Sequence, residues 1–154
     1  MATAWRIVRA RRAATAFTGE GARLFGGRWS SPGVRVVYVS EHQSTAALET
    51  LVHALPAAIE QKYTAFQLGW TDELTEQLPA RKLPADWRAS PASSATMQIG
   101  DAWAREQRSA VLAVPSAITP ADTNFLLNPE HPDFGRIRIG PPIDFDFDPR
   151  LLRA

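Results

Sequence analysis

The sequence predicts an α+β fold, a single compact domain spanning residues 1–154 with helices flanking a sheet. Three observations point there. The length of 154 residues suits one domain, and a hydrophobic share of 45% is enough for a core. Six apolar or alternating runs read as strands: Trp5–Val8, Val34–Ser40, Thr64–Leu68, Ala110–Val114, Arg136–Ile139 and Ile143–Phe147. Three segments between them read as helices, over Ser44–Ala54, Asp72–Leu78 and Ser94–Glu106.

Each element has a local reason. Trp5–Val8 sets Trp5 and Ile7 on one face and Arg6 on the other. Arg9–Thr18 is basic and alanine-rich, and fits a helix or a loop. Gly19, Gly21, Gly26 and Gly27 break regular structure beyond it. The glycines beside Arg28 either let backbone approach a ligand closely or make a turn. Ser31-Pro32-Gly33 is a turn signal. Val34, Val36 and Tyr38 then alternate with Val37 and Val39, and apolar residues on both faces predict a central strand.

The next helix starts at Ser44 or Thr45 as N-cap. It spaces Leu48, Leu51, Val52 and Leu55 as a buried stripe, and Pro56 stops it. Glu49 falls on the flank of that stripe, on a face shared with Thr45 and His53. A carboxylate there is either partly desolvated, as at functional sites, or an ordinary surface group. Pro79–Ser94, rich in Pro, Ala and Ser, reads as a surface loop holding Trp87. In the last helix Ile99, Ala102 and Trp103 form the apolar side, and Gly100 weakens it.

A second polar concentration follows the strand that ends at Val114. The stretch VPSAITPADTNFLLNPEHPDF holds Ser116, Thr119, Asn124, Asn128 and His131 around the apolar run Phe125–Leu127. Ser116 and Asn124 either face a site or cap turns. In the final strand Ile143, Phe145 and Phe147 alternate with Asp144, Asp146 and Asp148, a pattern that favours a solvated carboxylate row over a metal site.

Composition narrows the function classes. The absence of cysteine excludes a disulfide scaffold, a thiol nucleophile and a zinc–cysteine site. No stretch approaches the ~20 apolar residues that span a bilayer, and the arginine-interrupted N-terminus does not resemble a signal peptide. A soluble cytoplasmic protein is the expectation. Net charge is +1, but residues 1–40 alone carry +6, from seven arginines against Glu20. That asymmetry suits an anionic ligand such as a phosphate, a nucleotide or a nucleic acid, or else a solvated basic surface. The three histidines, His42, His53 and His131, have no metal-ligand spacing, and no phosphate-binding loop or nucleophile elbow is present. A Ser116–His131 hydrolase arrangement has no support from order or spacing.

Arg28, Tyr38 and Glu49 remain, and they are expected to converge on one small-molecule site. An arginine can clamp a phosphate, an aromatic ring can stack on a flat ring, and a carboxylate can stabilise cationic charge. A dinucleotide whose ribose bears a positively charged ring would use all three, because cleaving its glycosidic bond passes through an oxocarbenium-like state.

Five motifs in order, GGRW (Gly26–Trp29), VVYVSE (Val36–Glu41), STAALETLVH (Ser44–His53), VPSA (Val114–Ala117) and NFLLNPEHPDF (Asn124–Phe134), resemble the RES-domain family. The resemblance covers roughly Trp5 to Phe145, and the segment Pro79–Ser109 carries no matching motif. Serine at position 30 replaces the asparagine expected after GGRW but keeps a polar side chain.

The family is one of bacterial toxins paired with Xre-like helix-turn-helix antitoxins. The resemblance implies a fold similar to ADP-ribosyltransferases, with a central mixed or antiparallel sheet. It implies an activity that degrades NAD+, taken as substrate rather than cofactor, at the nicotinamide–ribose bond. Arg28 would bind the NAD+ phosphate or the nicotinamide-side ribose region, Tyr38 would stack near the nicotinamide, and Glu49 would hold the ribose and stabilise the oxocarbenium ion. Ser116 and Asn124 would line the pocket, with Trp29 and Asn128 completing the substrate-binding set. No metal is expected. The acceptor of the ADP-ribose stays open among water, phosphate and a protein target. Another class, a nucleic-acid-binding module using the basic first 40 residues, has no helix-turn-helix behind it. Expected partners are the antitoxin and NAD+, in a homodimer or a hetero-oligomer with the antitoxin.

Overall fold

The computed structural model describes residues 1–54 and 61–152. Eight strands appear among them: β1 (Ala2–Arg9), β2 (Val37–Ser40), β3 (Tyr63–Trp70), β4 (Thr75–Gln77), β5 (Val111–Pro115), β6 (Thr123–Leu127), β7 (Arg138–Ile139) and β8 (Ile143–Phe145). The helices are α1 (Glu20–Phe25), α2 (Gln43–Ala54) and α3 (Ser94–Arg105). The strands form one sheet in the order β4-β5-β6-β2-β1-β3-β7, with β8 also paired to β3. Only the β4–β5 pair is parallel, so this is the α+β fold with a mixed sheet.

The sheet has to curl. β3 ends at Trp70 and β4 starts at Thr75, yet the two stand near opposite edges. Trp70 donates its indole N–H to Thr75 Oγ1 (2.8 Å) and meets Phe125 of β6 edge-on, with ring centroids 5.0 Å apart. The inner face packs Val37, Val39, Phe66, Leu68 and Leu127 around these rings. The other face is covered in two places. α2 covers Ile7, Tyr63 and Ala65 with Ala46 and Leu51, while Trp29 and Trp103 cover Leu112, Val114 and Leu126. Tyr38 of β2 packs against the second covering, and Ser40 follows it two residues along the same face. Val37 and Val39 are buried on the opposite face, as a central strand requires.

Several expectations are corrected. The stripe on α2 is rotated: Leu48 and Val52 are 37% and 55% exposed, and the helix turns Ala46, Ala47, Leu51 and Ala54 to the sheet. The alanines let the helix axis come close, Leu51 packs in beside them, and Leu48 and Val52 are left outside. Leu55 and Pro56 lie outside the described residues. The helix also starts earlier than expected, with Ala46 N–H bonded to His42 C=O, so Ser44 and Thr45 sit in its first turn and do not cap it. Asp72–Leu78 is not a helix but a 3-10 turn, Asp72–Leu74, followed by β4, which gains an edge pairing with β5. The glycines after Thr18 bound a six-residue helix, with Gly19 (φ 74°) before it and Gly26 (φ 72°) after it in backbone conformations that favour glycine. The run Phe125–Leu127 belongs to a strand, β6, flanked by β5 and β2.

On α3 the buried set is Thr96, Gly100, Asp101, Trp103 and Ala104, and Ala102 is exposed. Gly100 costs about 1 kcal/mol of helix propensity. A side chain there would collide with the Trp29 carbonyl. Burial of large apolar groups, about 1.5–3 kcal/mol each, outweighs that cost and keeps the two tryptophans packed.

Candidate active site

The site forms where α2 returns across the end of β2. Only Glu41 and His42 separate the strand from the helix, so the first turns of α2 stay beside the strand they leave. Ser40 pairs with Asn124, and Asn124 with Val114, two residues before Ser116. Side chains alternate along a strand, so Tyr38, Ser40, Asn124 and Ser116 share one face.

Glu49 meets that face from above. Its Oε1 accepts from Asn124 Nδ2 (2.7 Å) and Ser116 Oγ (2.9 Å). Ser40 Oγ donates to Asn124 Oδ1 (2.7 Å), which turns the amide nitrogen toward the carboxylate. Ser116 Oγ in turn accepts from the N–H groups of Ile118 and Thr119 (3.2 Å each), so the serine also holds its own loop. Among the described residues Glu49 Oε2 has no partner. One oxygen is anchored twice, and the other is presented.

Tyr38 stands two residues from Ser40, about 7 Å along the strand. Its hydroxyl shares a hydrogen bond with Ser30 Oγ (2.7 Å) and accepts from Trp29 N–H (3.2 Å). Burial pushes the phenol up to about 12, against the opposing pull of those two bonds. Tyr38 is therefore neutral at physiological pH, and its hydroxyl anchors the Trp29–Ser30 turn to β2. A Cβ at position 27 would stand 2.5 Å from the phenol oxygen, so Gly27 is there to admit the tyrosine.

Arg28 donates both hydrogens of Nη1 to main-chain carbonyls, of Trp87 (3.0 Å) and Ala89 (2.8 Å). Its own backbone is seated on α3. The Arg28 carbonyl accepts from Thr96 Oγ1 (2.6 Å), and Ser31 N–H donates to Asp101 (2.9 Å). From the inner face, Arg6 donates to the carbonyls of Tyr38 (2.8 Å) and Ala16 (2.7 Å), filling the wedge where β1 and β2 share only the Trp5–Ser40 pair. Burial draws the Arg6 guanidinium down to about 10, far enough above neutrality that it stays charged.

Against known sequences, residues 3–148 match the profile described as the RES domain. The chain belongs to the RES-domain family. A relative named Toxin Res from Yersinia enterocolitica (serotype O:8 / biotype 1B) is 38% identical over 148 residues, covering 96% of this chain and 97% of the relative. One from Sphingobium sp. (strain YBL2), named Prs ADP-ribosylating toxin, is 36% identical over 154 residues, covering 97% and 96%. A Toxin Res from Photorhabdus laumondii is 36% identical over 151 residues, covering 97% of each.

In this RES domain the structure joins Glu49, Ser116 and Asn124 directly, and sets Tyr38 on the same sheet face with Arg28 beside it on the Gly27–Ser31 turn. Trp29 contributes its N–H to Tyr38, while its ring is buried in the core. Ser30 is fully buried against the tyrosine hydroxyl. Asn128 stands at the far end of β6 from Asn124. There its amide donates to Ala104 C=O (3.1 Å) and accepts from Glu130 N–H (3.0 Å). His131 is engaged with Gln107 C=O and Asp133 N–H, far from any partnership with Ser116.

Sequence reasoning missed Ser40, Thr96 and Asp101. Ser40 carried a usable signal, two residues after Tyr38 on one strand face. The seven N-terminal arginines do not make one surface. Arg6 is held between β1 and β2, Arg28 is bonded to the Trp87 and Ala89 carbonyls, and Arg35 and Arg23 pair with Glu20.

Proposed function

We propose that this RES domain is a toxin that consumes NAD+ by breaking the bond between nicotinamide and ribose C1′. The observation behind it is the Glu49 carboxylate, gripped at Oε1 by Ser116 and Asn124 and without a partner at Oε2 among the described residues. A preorganised carboxylate of this kind holds ribose hydroxyls and stabilises positive charge that develops only in the transition state. Tyr38, fixed through its hydroxyl, offers a flat neutral ring to the nicotinamide, and Arg28 offers a cation to the phosphates. As the C1′–N bond breaks, its electron pair leaves with nicotinamide. Water then attacks C1′, forms the new C–O bond and loses a proton, giving ADP-ribose. Inorganic phosphate can replace water as nucleophile. Purified protein incubated with NAD+ is expected to release nicotinamide, and no release at high enzyme concentration would overturn the reading.

A second reading keeps the donor chemistry and changes the acceptor to a protein. It is favoured by the name of the Sphingobium relative, an ADP-ribosylating toxin. With NAD+ labelled in its adenylate half and added to cell lysate, label on a protein band supports this reading, and label in free ADP-ribose supports hydrolysis.

A stored toxin needs a silencing partner, for which we propose an Xre-like antitoxin. Leu48 and Val52 are exposed on α2 on either side of Glu49 in the sequence, so a partner that buried them would lie against the site. NAD+ cleavage undiminished by the bound antitoxin would overturn the occlusion.

A further inference from the structure

The segment Trp87–Ala89 has no family motif, yet it joins the two halves of the site. On one side Arg28 Nη1 donates to the carbonyls of Trp87 and Ala89. On the other, Arg88 Nε donates to the carbonyl of Ala117 (2.9 Å), the residue after Ser116. The Arg88 guanidinium also lies over the Trp87 ring, 6.0 Å from its centroid.

Arg28 has spent Nη1, which leaves the Nε–Nη2 edge without a partner among the described residues. That edge is the fork that grips two oxygens of one phosphate. Arg88 has spent only Nε, leaving both terminal nitrogens without a partner among the described residues. Arg23, Arg108, Arg136 and Arg150 each pair with a carboxylate, whereas Arg28 and Arg88, like Arg6 between β1 and β2, donate only to main-chain carbonyls. Carbonyls orient a guanidinium without neutralising it. Two cations, un-neutralised by the described residues, are therefore tethered through one three-residue segment, whereas a mononucleotide phosphate would occupy one fork.

We propose that Arg88 is a second phosphate-binding residue, so that Arg28 and Arg88 together select the diphosphate of a dinucleotide over a mononucleotide. This rests on the NAD+ reading of the same site.

The test measures binding of ADP-ribose, which carries the diphosphate but no bond to cleave, together with the preference for NAD+ over nicotinamide mononucleotide as substrate. Arg88→Ala is expected to weaken ADP-ribose binding about tenfold or more, the scale of one lost charge-assisted contact. It should narrow the NAD+ preference by a similar factor through KM, with kcat little changed. Arg88→Lys, which keeps the charge, should recover part of the loss, and the ligand-free melting temperature reports whether each variant folds. Unchanged ADP-ribose binding in Arg88→Ala overturns the proposal. So does an equal loss for NAD+ and the mononucleotide, or no recovery in a folded Arg88→Lys. If the unsubstituted protein binds no ADP-ribose and cleaves neither substrate, the underlying NAD+ reading fails instead.

Discussion

Glu49 depends on residues 67 and 75 positions away, and that dependence sets its expected behaviour. In the proposed reaction, replacing it with alanine removes the group that would meet developing positive charge and is expected to lower kcat at least ~100-fold. Ser40 reaches the carboxylate only through Asn124. In a double-mutant cycle, Ser40→Ala combined with Asn124→Ala should therefore be no slower than Asn124→Ala alone. Additive losses would give Ser40 a role of its own. Helical spacing put Glu49 at the edge of an apolar stripe, but nothing in spacing says which hydroxyl and amide will meet it. Motif order supplied Ser116 and Asn124 as companions. The same reasoning offered Asn128, whose amide the fold uses to tie β6 to the end of α3.

Among the elements, β2 and β5 were legible because apolar residues on consecutive positions declare a buried strand. α2 was legible as a helix but not in rotation, since periodicity weights leucine and valine while the sheet accepts the alanines. α3 and the segment before it were opaque in function. They hold the site through main-chain carbonyls at Trp87 and Ala89, and through Thr96 and Asp101 gripping backbone, and a carbonyl leaves no mark in a sequence. Gly100 tests this packing. Helix propensity alone would make Gly100→Ala stabilising by about 1 kcal/mol. Collision with the Trp29 carbonyl reverses the sign, and we expect a loss of about 1–3 kcal/mol with a lowered melting temperature. A raised melting temperature would show that α3 does not press on the Arg28 turn.

Over the whole molecule, the site and the stability share a residue. The folded chain holds the Tyr38 proton up to about 12, above the ordinary tyrosine value of about 10. The contribution is complete below pH 10, where both states are protonated, and is lost as pH rises from 10 toward 12, where only the unfolded state has ionised. Arg6, drawn down to about 10, acts in the opposite direction over the same window, so the test is a difference between two proteins: by denaturant titration Tyr38→Phe should gain stability relative to the unsubstituted protein as pH rises from 10 to 12, and no relative change would remove Tyr38 from the pH dependence. The same neutrality means that the pH dependence of NAD+ cleavage between pH 6 and 9 should not report Tyr38. The proposed cleavage of NAD+ at an anchored Glu49 is tested most directly by nicotinamide release from NAD+ by the purified protein beside its folded Glu49→Ala variant. The expected result is release by the first and at least ~100-fold slower release by the second. Equal rates, or no release by either, would contradict it.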